Sequence, residues 1–277
     1  MRNMMAARDP HRFVNDLGDE AVERLISRLE SRAKDSVFTN LIDKYASQLI
    51  LTDPAKVLEV GCGTGAMIRS FVRSEDFNGH AVGIDQSGSF IDAAKSFARH
   101  ERLENRVQFQ IGDAHDIDFP SASFDTVIAN TLISHVSDPA RVLKEMARVV
   151  GPGGIIAVFD GDYASLTYAF PDHDFGRQMD SALATASFNN PRVMRDLPRM
   201  LDTYGLQLIS AWGDAVVEIG EGSYFKSFAE TYAPYVTISG LMTEDEVDNW
   251  LSVQREAMES GTFFASCNYY TYLLRRI

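Results

Sequence analysis

Glu59 stands two residues before the first glycine of Gly61-Cys62-Gly63-Thr64-Gly65, in the apolar run Val57-Leu58-Glu59-Val60. Glycines in such a strand-to-helix turn let backbone N–H groups approach a ligand at a helix N-terminus, most often a pyrophosphate. An acid at this point would repel phosphate. It suits a ligand with a cationic amino-acid end and no phosphate between that end and its nucleoside. The glycines alone decide little, because Gly61-x-Gly63-x-x-Ala66 also satisfies the loose dinucleotide fingerprint, and a tight turn needing positive φ would use glycine without any ligand.

Three further acids close strand-like runs. Asp85 ends His80-Ala81-Val82-Gly83-Ile84-Asp85 and is followed by Gln86; it lies about 20 residues past the glycines, where a strand-end carboxylate meets ribose hydroxyls in this fold class. Asp113 closes the alternating run Val107 to Ile111 within Gly112-Asp113-Ala114, and a carboxylate there can accept a hydrogen bond from an adenine amine. Asp160 closes a fifth strand, Ile155 to Phe159. Between them Phe124 to Asn130 reads as a buried strand leading into Thr131 and the segment Ile133-Ser134-His135-Val136-Ser137-Asp138-Pro139. Helical spacing after Ala66 and from Arg141 to Val149 makes these strands a repeating βα pattern, hence a parallel sheet with helices on both faces.

This order of motifs resembles the class I S-adenosylmethionine-dependent methyltransferases, in the branch of quinone-biosynthesis and natural-product small-molecule enzymes. The resemblance covers about residues 30 to 215. It implies a Rossmann-like seven-stranded, mostly parallel sheet and S-adenosyl-L-methionine as cofactor. By resemblance Glu59, Gly61, Cys62, Gly63, Thr64 and Gly65 surround the methionine end, Asp85 with Gln86 binds ribose, Gly112, Asp113 and Ala114 hold adenine, and Asn130 with Thr131 contacts the methionine moiety. The Gly112-Asp113 and Phe124-Asp125 units have no place in the dinucleotide fingerprint. With Glu59 they disfavour the competing reading, a nicotinamide-dependent oxidoreductase.

Composition narrows the partners. The 277 residues are 45% hydrophobic, enough for one sizeable α/β core with additions, and the net charge of −13 opposes broad contact with nucleic acid. A small-molecule methyl acceptor is the expected partner, with neither nucleic acid nor membrane, in a monomer or homodimer. No window reaches transmembrane length and the first nine residues lack an apolar signal core. Two cysteines, Cys62 and Cys267, suggest neither a disulfide scaffold nor a metal site, so a cytoplasmic location is expected.

The remaining sequence is read as cover for the site. Amphipathic spacings within 1–52 predict N-terminal helices over the cofactor; Arg28 and Arg32 sit one turn apart there. A solvated basic face is the simpler reading of each, but a guanidinium also matches a carboxylate fork, and Arg32 is the candidate for the methionine carboxylate. The core is expected over 53–219 with an insertion at about 163–190, followed by a helical lid at 220–261 and a final edge strand at 262–277. Pro191 to Tyr204 reads as a core helix before a sixth strand at 205–212, and Thr243 with Glu246 as a capping box. Aromatics crowd the two additions, among them Tyr163, Phe188, Tyr224, Phe228, Tyr232 and Trp250, and suggest a flat or apolar acceptor, although any one of them could be lid core.

Methyl transfer from a sulfonium asks mainly for alignment and exclusion of water; a hydroxyl acceptor also needs a base. His135 is the candidate base and Asp160 its candidate partner or an acceptor ligand, with Asp162 competing; a loop-capping His135 is the plain alternative. The expected function is methylation of a hydroxyl on a small aromatic, polyketide-like or sugar-bearing acceptor. N- or C-methylation, or a non-catalytic S-adenosylmethionine-binding protein, are the alternatives.

Overall fold

The computed structural model describes residues 9–49 and 53–277; the ends of the expected N-terminal unit, residues 1–8 and 50–52, lie outside it. Helices α1 (Asp19–Arg32) and α2 (Ser36–Ala46) precede a repeating series: β1 (Ala55–Val60), α3 (Ala66–Arg73), β2 (Gly79–Asp85), α4 (Gly88–His100), β3 (Val107–Ile111), β4 (Phe124–Asn130), α5 (Pro139–Val149) and β5 (Val150–Tyr168). Then come α6 (His173–Ser187), the short α7 (Val193–Asp196), β6 (Leu206–Gly220), α8 (Tyr224–Ile238), α9 (Glu244–Glu259) and β7 (Phe263–Arg276).

Seven strands form one sheet in the order β3-β2-β1-β4-β5-β7-β6. The first five are parallel and β7 runs antiparallel to both neighbours. Successive strand residues point to opposite faces, so Val57 and Ile128 join one apolar layer while Leu58 and Val127 join the other. Both layers are covered by helices, which is why the parallel strands read as near-continuous apolar runs. The chain order reverses between β1 and β4. Ligands of open α/β sheets bind beyond the strand ends at such a switch, and Glu59 and Asn130 both fall there.

Three expectations need correction. Residues 262–277 are not an edge strand: β7 lies between β5 and β6, and β6 is the edge. The alternation of β7 allows this, with Phe263, Ala265, Cys267, Tyr269 and Leu273 all buried. Pro191 to Tyr204 is not one helix but α7 followed by two 3₁₀ turns, because Pro198 supplies no N–H and clashes with the preceding turn. The fifth strand does not stop at Asp160. It continues to Tyr168 and pairs Thr167 and Tyr168 with Ser266 and Ala265 across a register shift, so part of the expected insertion at 163–190 is strand.

The long β5, β7 and β6 form a platform beyond the parallel core. Asp180 on α6 accepts a hydrogen bond from the Tyr168 backbone at 3.1 Å, and Tyr168 donates its hydroxyl to the Phe225 carbonyl at 2.9 Å, which ties α6 and α8 to the platform. Trp250 of α9 meets Tyr168 edge to face. Thr243 and Glu246 make the expected capping box at the start of α9.

Candidate active site

A cavity of about 340 Å³ opens at the carboxyl ends of β1, β2 and β4. One half is built from the glycine loop. Gly61, Gly63 and Gly65 all have positive φ, which favours glycine, and a Cβ on Gly61 would lie 2.4 Å from a methyl of the Leu132 side chain, which packs directly over the loop. Gly65 caps α3 without a side chain; a backbone hydrogen bond from Ile68 in the first turn goes to Glu59 instead. Glu59 is buried, and its Oε2 has no hydrogen-bond partner among the described residues. Burial pushes its carboxyl well above the usual range, opposed by the Ile68 hydrogen bond. A cationic amine beside Oε2 would satisfy that atom and restore the charge.

Asp85 accepts from Gly63 N at 2.8 Å through Oδ2 and from Ser87 N at 2.9 Å through Oδ1. Each oxygen keeps a lone pair for a hydroxyl. Burial raises this carboxyl, opposed by those two amides. Asp113 lies at the mouth with its side chain 64% exposed, held by the backbone and Nδ1 of His115 at 2.8 Å. Gly112 and Ala114 line the cavity beside it.

The structure gives several of the predicted residues partners that the sequence did not suggest. Gln86 lines the cavity, but its amide donates to the carbonyls of His11 and Arg12 and so ties down the N-terminal segment. Thr64 donates to Glu30 of α1 at 2.6 Å. The Cys62 thiol is buried and pushed well above its usual range by that burial. Asn130 accepts a long bond from Tyr45, and Thr131, at positive φ, accepts from Arg32 at 2.8 Å. Arg32 therefore reaches from α1 to the first residue after β4, on the cavity wall.

The other half of the cavity is aromatic and cationic. Tyr163, Phe188, Tyr224, Phe228 and Tyr232 line it, whereas Tyr168, Phe225 and Trp250 are fully in the apolar layer. Among the lining groups are His135, Arg28 and His11. His135 Nδ1 lies 2.8 Å from Asp9 Oδ1, and Asp9 is buried, its carboxylate also accepting from Arg12 N and Asn189 N. Burial lowers the His135 pKa, but the carboxylates around it, Asp9 first and then Asp160, raise it and the net effect is upward. The His11 ring lies 4.7 Å from that of His135, tilted to it, and bonds Tyr232 at 2.8 Å; burial, then His135 and the two arginines, push its pKa well down.

Asp160 is not the partner of His135. Its oxygens accept from Ser134 N, Ser134 Oγ and Gly161 N, it is wholly buried, and it is absent from the cavity lining. Asp162 is paired with Arg195 at 2.7 Å. The sequence missed Asp9 and His11 because they sit in a short segment without periodicity, 126 residues from His135 in the case of Asp9. No group of metal ligands occurs among the described residues.

A family model described as a methyltransferase domain matches residues 51–218. The chain belongs to this family, whose domain is that of the class I S-adenosylmethionine-dependent methyltransferases. It is 28% identical over 205 residues to an uncharacterized 37.1 kDa protein of a Streptomyces fradiae transposon, covering 66% of this chain and 58% of that one. It is 32% identical over 131 residues to 27-O-demethylrifamycin SV methyltransferase of Amycolatopsis mediterranei, covering 47% of each. The chain thus spans about half the length of these curated relatives. A putative methyltransferase from Bacillus halodurans shares the fold, with a TM-score of 0.60, 18% identity, and coverage of 85% of this chain and 98% of that one.

Proposed function

We propose that the chain methylates a hydroxyl on a small, flat, largely apolar acceptor, with His135 as the base. The observation that supports this is the Asp9–His135 pair, whose imidazole lies on the cavity wall with Asp9 buried behind it. Nδ1–H donation to Asp9 fixes the tautomer and leaves Nε2 as the acceptor atom, with no hydrogen-bond partner among the described residues. Bound S-adenosylmethionine supplies a methyl group on a sulfonium, which becomes a thioether as the acceptor oxygen takes the methyl. Glu59 and Arg32 would hold the ammonium and carboxylate of the methionine end, and Asp85 the ribose. Nε2 of His135 takes the hydroxyl proton, Asp9 stabilises the resulting imidazolium, and the aromatic wall positions the acceptor and excludes water.

Only neutral His135 is a base, so activity should rise with pH through a limb lying above the ordinary histidine range, since Asp9 raises that pKa. Single-turnover rates across pH provide the test. His135→Ala should lose roughly 100-fold or more and lose the limb. Asp9→Asn should slow the reaction and move the limb to lower pH, a displacement that a merely structural Asp9 would not produce. A retained limb and near-normal rate in His135→Ala would remove the base and favour a nitrogen acceptor, for which proximity suffices.

A further inference from the structure

Arg28 takes no part in the cofactor contacts or proton transfer described above, yet its guanidinium lies on the cavity wall. It is 7% exposed, its Nη1 donates to Ser227 Oγ at 3.0 Å, and its Cζ lies 5.0, 5.2 and 5.1 Å from the ring centres of Tyr224, Phe228 and Tyr232. No carboxylate pairs with it among the described residues. Arg69, the other buried guanidinium among the described residues, shows what this fold otherwise does with such a charge: it is paired with both Glu30 and Glu101. A buried charge is costly unless paired, and aromatic faces compensate it only in part.

Arg32, one turn along α1, points to Thr131 and the methionine end. The cofactor has one carboxylate and Arg32 is placed for it, whereas Arg28 is held by α8 on the aromatic side. The acids that line the cavity, Glu59, Asp85 and Asp113, stand at the strand ends, and Asp9, behind His135, is committed to it and two backbone amides. A chain with a net charge of −13 has therefore placed a guanidinium without a carboxylate partner, Arg28, on the aromatic side of the cavity.

We propose that Arg28 binds a carboxylate carried by the methyl acceptor, so that the substrate is a flat, largely apolar acid. This rests on the reading of the cavity as a methyltransferase site. The ring faces of Tyr224, Phe228 and Tyr232 hold the guanidinium fork in place and leave little water to compete for it, which favours a planar, two-point contact.

Calorimetry on the whole chain saturated with S-adenosylhomocysteine tests it, with 4-hydroxycinnamate and 6-hydroxy-2-naphthoate as probes, each beside its primary carboxamide. Each acid should bind wild type roughly 10-fold or more tightly than its amide, as a charge-assisted bidentate pair requires. In Arg28→Gln that ratio should vanish while S-adenosylhomocysteine affinity stays nearly unchanged, and Arg28→Lys should keep part of it. Equal affinities of acid and amide for wild type, no binding of either acid, or an acid preference that survives in Arg28→Gln would overturn the proposal. So would a matching loss of S-adenosylhomocysteine affinity in Arg28→Gln, which would give Arg28 to the cofactor's carboxylate. Wild type that fails to bind S-adenosylhomocysteine would overturn the methyltransferase reading itself and this proposal with it. The wild-type comparison stands even if a variant does not fold.

Discussion

Glu59 serves two neighbours at once. Toward the fold it receives a backbone hydrogen bond from Ile68 at the start of α3, and toward the cavity it offers the unpartnered Oε2. Glu59→Gln keeps an acceptor for Ile68 but places a neutral amide opposite the cationic amine. S-adenosylhomocysteine affinity should fall roughly 10-fold or more, in line with hydrogen bonds to charged groups, and the melting temperature should change little. Calorimetry showing unchanged affinity would separate Glu59 from the methionine end. Asp85 differs in that each of its oxygens already holds one loop amide and keeps one lone pair toward the cavity. Such residues orient themselves before the ligand arrives, which reduces the ordering cost of binding.

Among the elements, α6 is fastened to β5 through a buried acid. Asp180 accepts from the Tyr168 backbone, and burial raises its pKa to about 7, opposed by hydrogen bonds from Tyr168 and Thr167. The folded-state value lies above the unfolded one, so the native state keeps the proton longer, and stability falls as pH rises from about 4 to about 7 and levels off beyond. Asp180→Asn preserves the accepting oxygen and removes the ionisation. The variant should match wild type near pH 4 and exceed it progressively up to pH 7, by a few kcal/mol at most, since each tenfold change in proton affinity is worth about 1.4 kcal/mol. Denaturant unfolding at several pH values checks this; a constant difference would locate the effect elsewhere. Turnover should be little affected, since Asp180 does not line the cavity.

At the scale of the whole molecule, the cavity is walled by α1, the parallel strand ends and α8 together, so ligand binding is coupled to global stability. S-adenosylhomocysteine at about 100 times its Kd should stabilise the native state by about 2.7 kcal/mol, a rise of roughly 5 °C in melting temperature for a chain of this size. NAD should give none, because Glu59 stands where its pyrophosphate would have to go. A larger rise with NAD would reverse the assignment. No helix among the described residues is long and apolar enough to cross a membrane.

The parallel half of the fold was legible because its signals are local. An apolar run, a glycine turn and an acid at fixed short spacing are all consecutive in the chain, and the cofactor half of the cavity is made of them: Glu59, the loop glycines, Asp85 and Asp113 need only the strand order to converge. The acceptor half is assembled otherwise. Asp9 reaches His135 across 126 residues and Arg28 reaches Ser227 across 199, with no periodicity to announce either pairing. Composition argued for a solvated Arg28, since arginine is usually exposed, and only the packing of α8 against α1 buries it. From the sequence Asp160 is a candidate either to orient His135 or to bind the acceptor, with Asp162 competing, because it follows a strand end as His135 does. Its carboxylate instead satisfies the Ser134 and Gly161 amides, which the backbone of that turn would otherwise bury unpaired. The sequence by itself thus determined the class of cofactor, whose motif residues are local; tertiary structure decided which carboxylate His135 meets and that a guanidinium without a carboxylate partner lines the aromatic half, because those depend on which distant surfaces close over the strand ends.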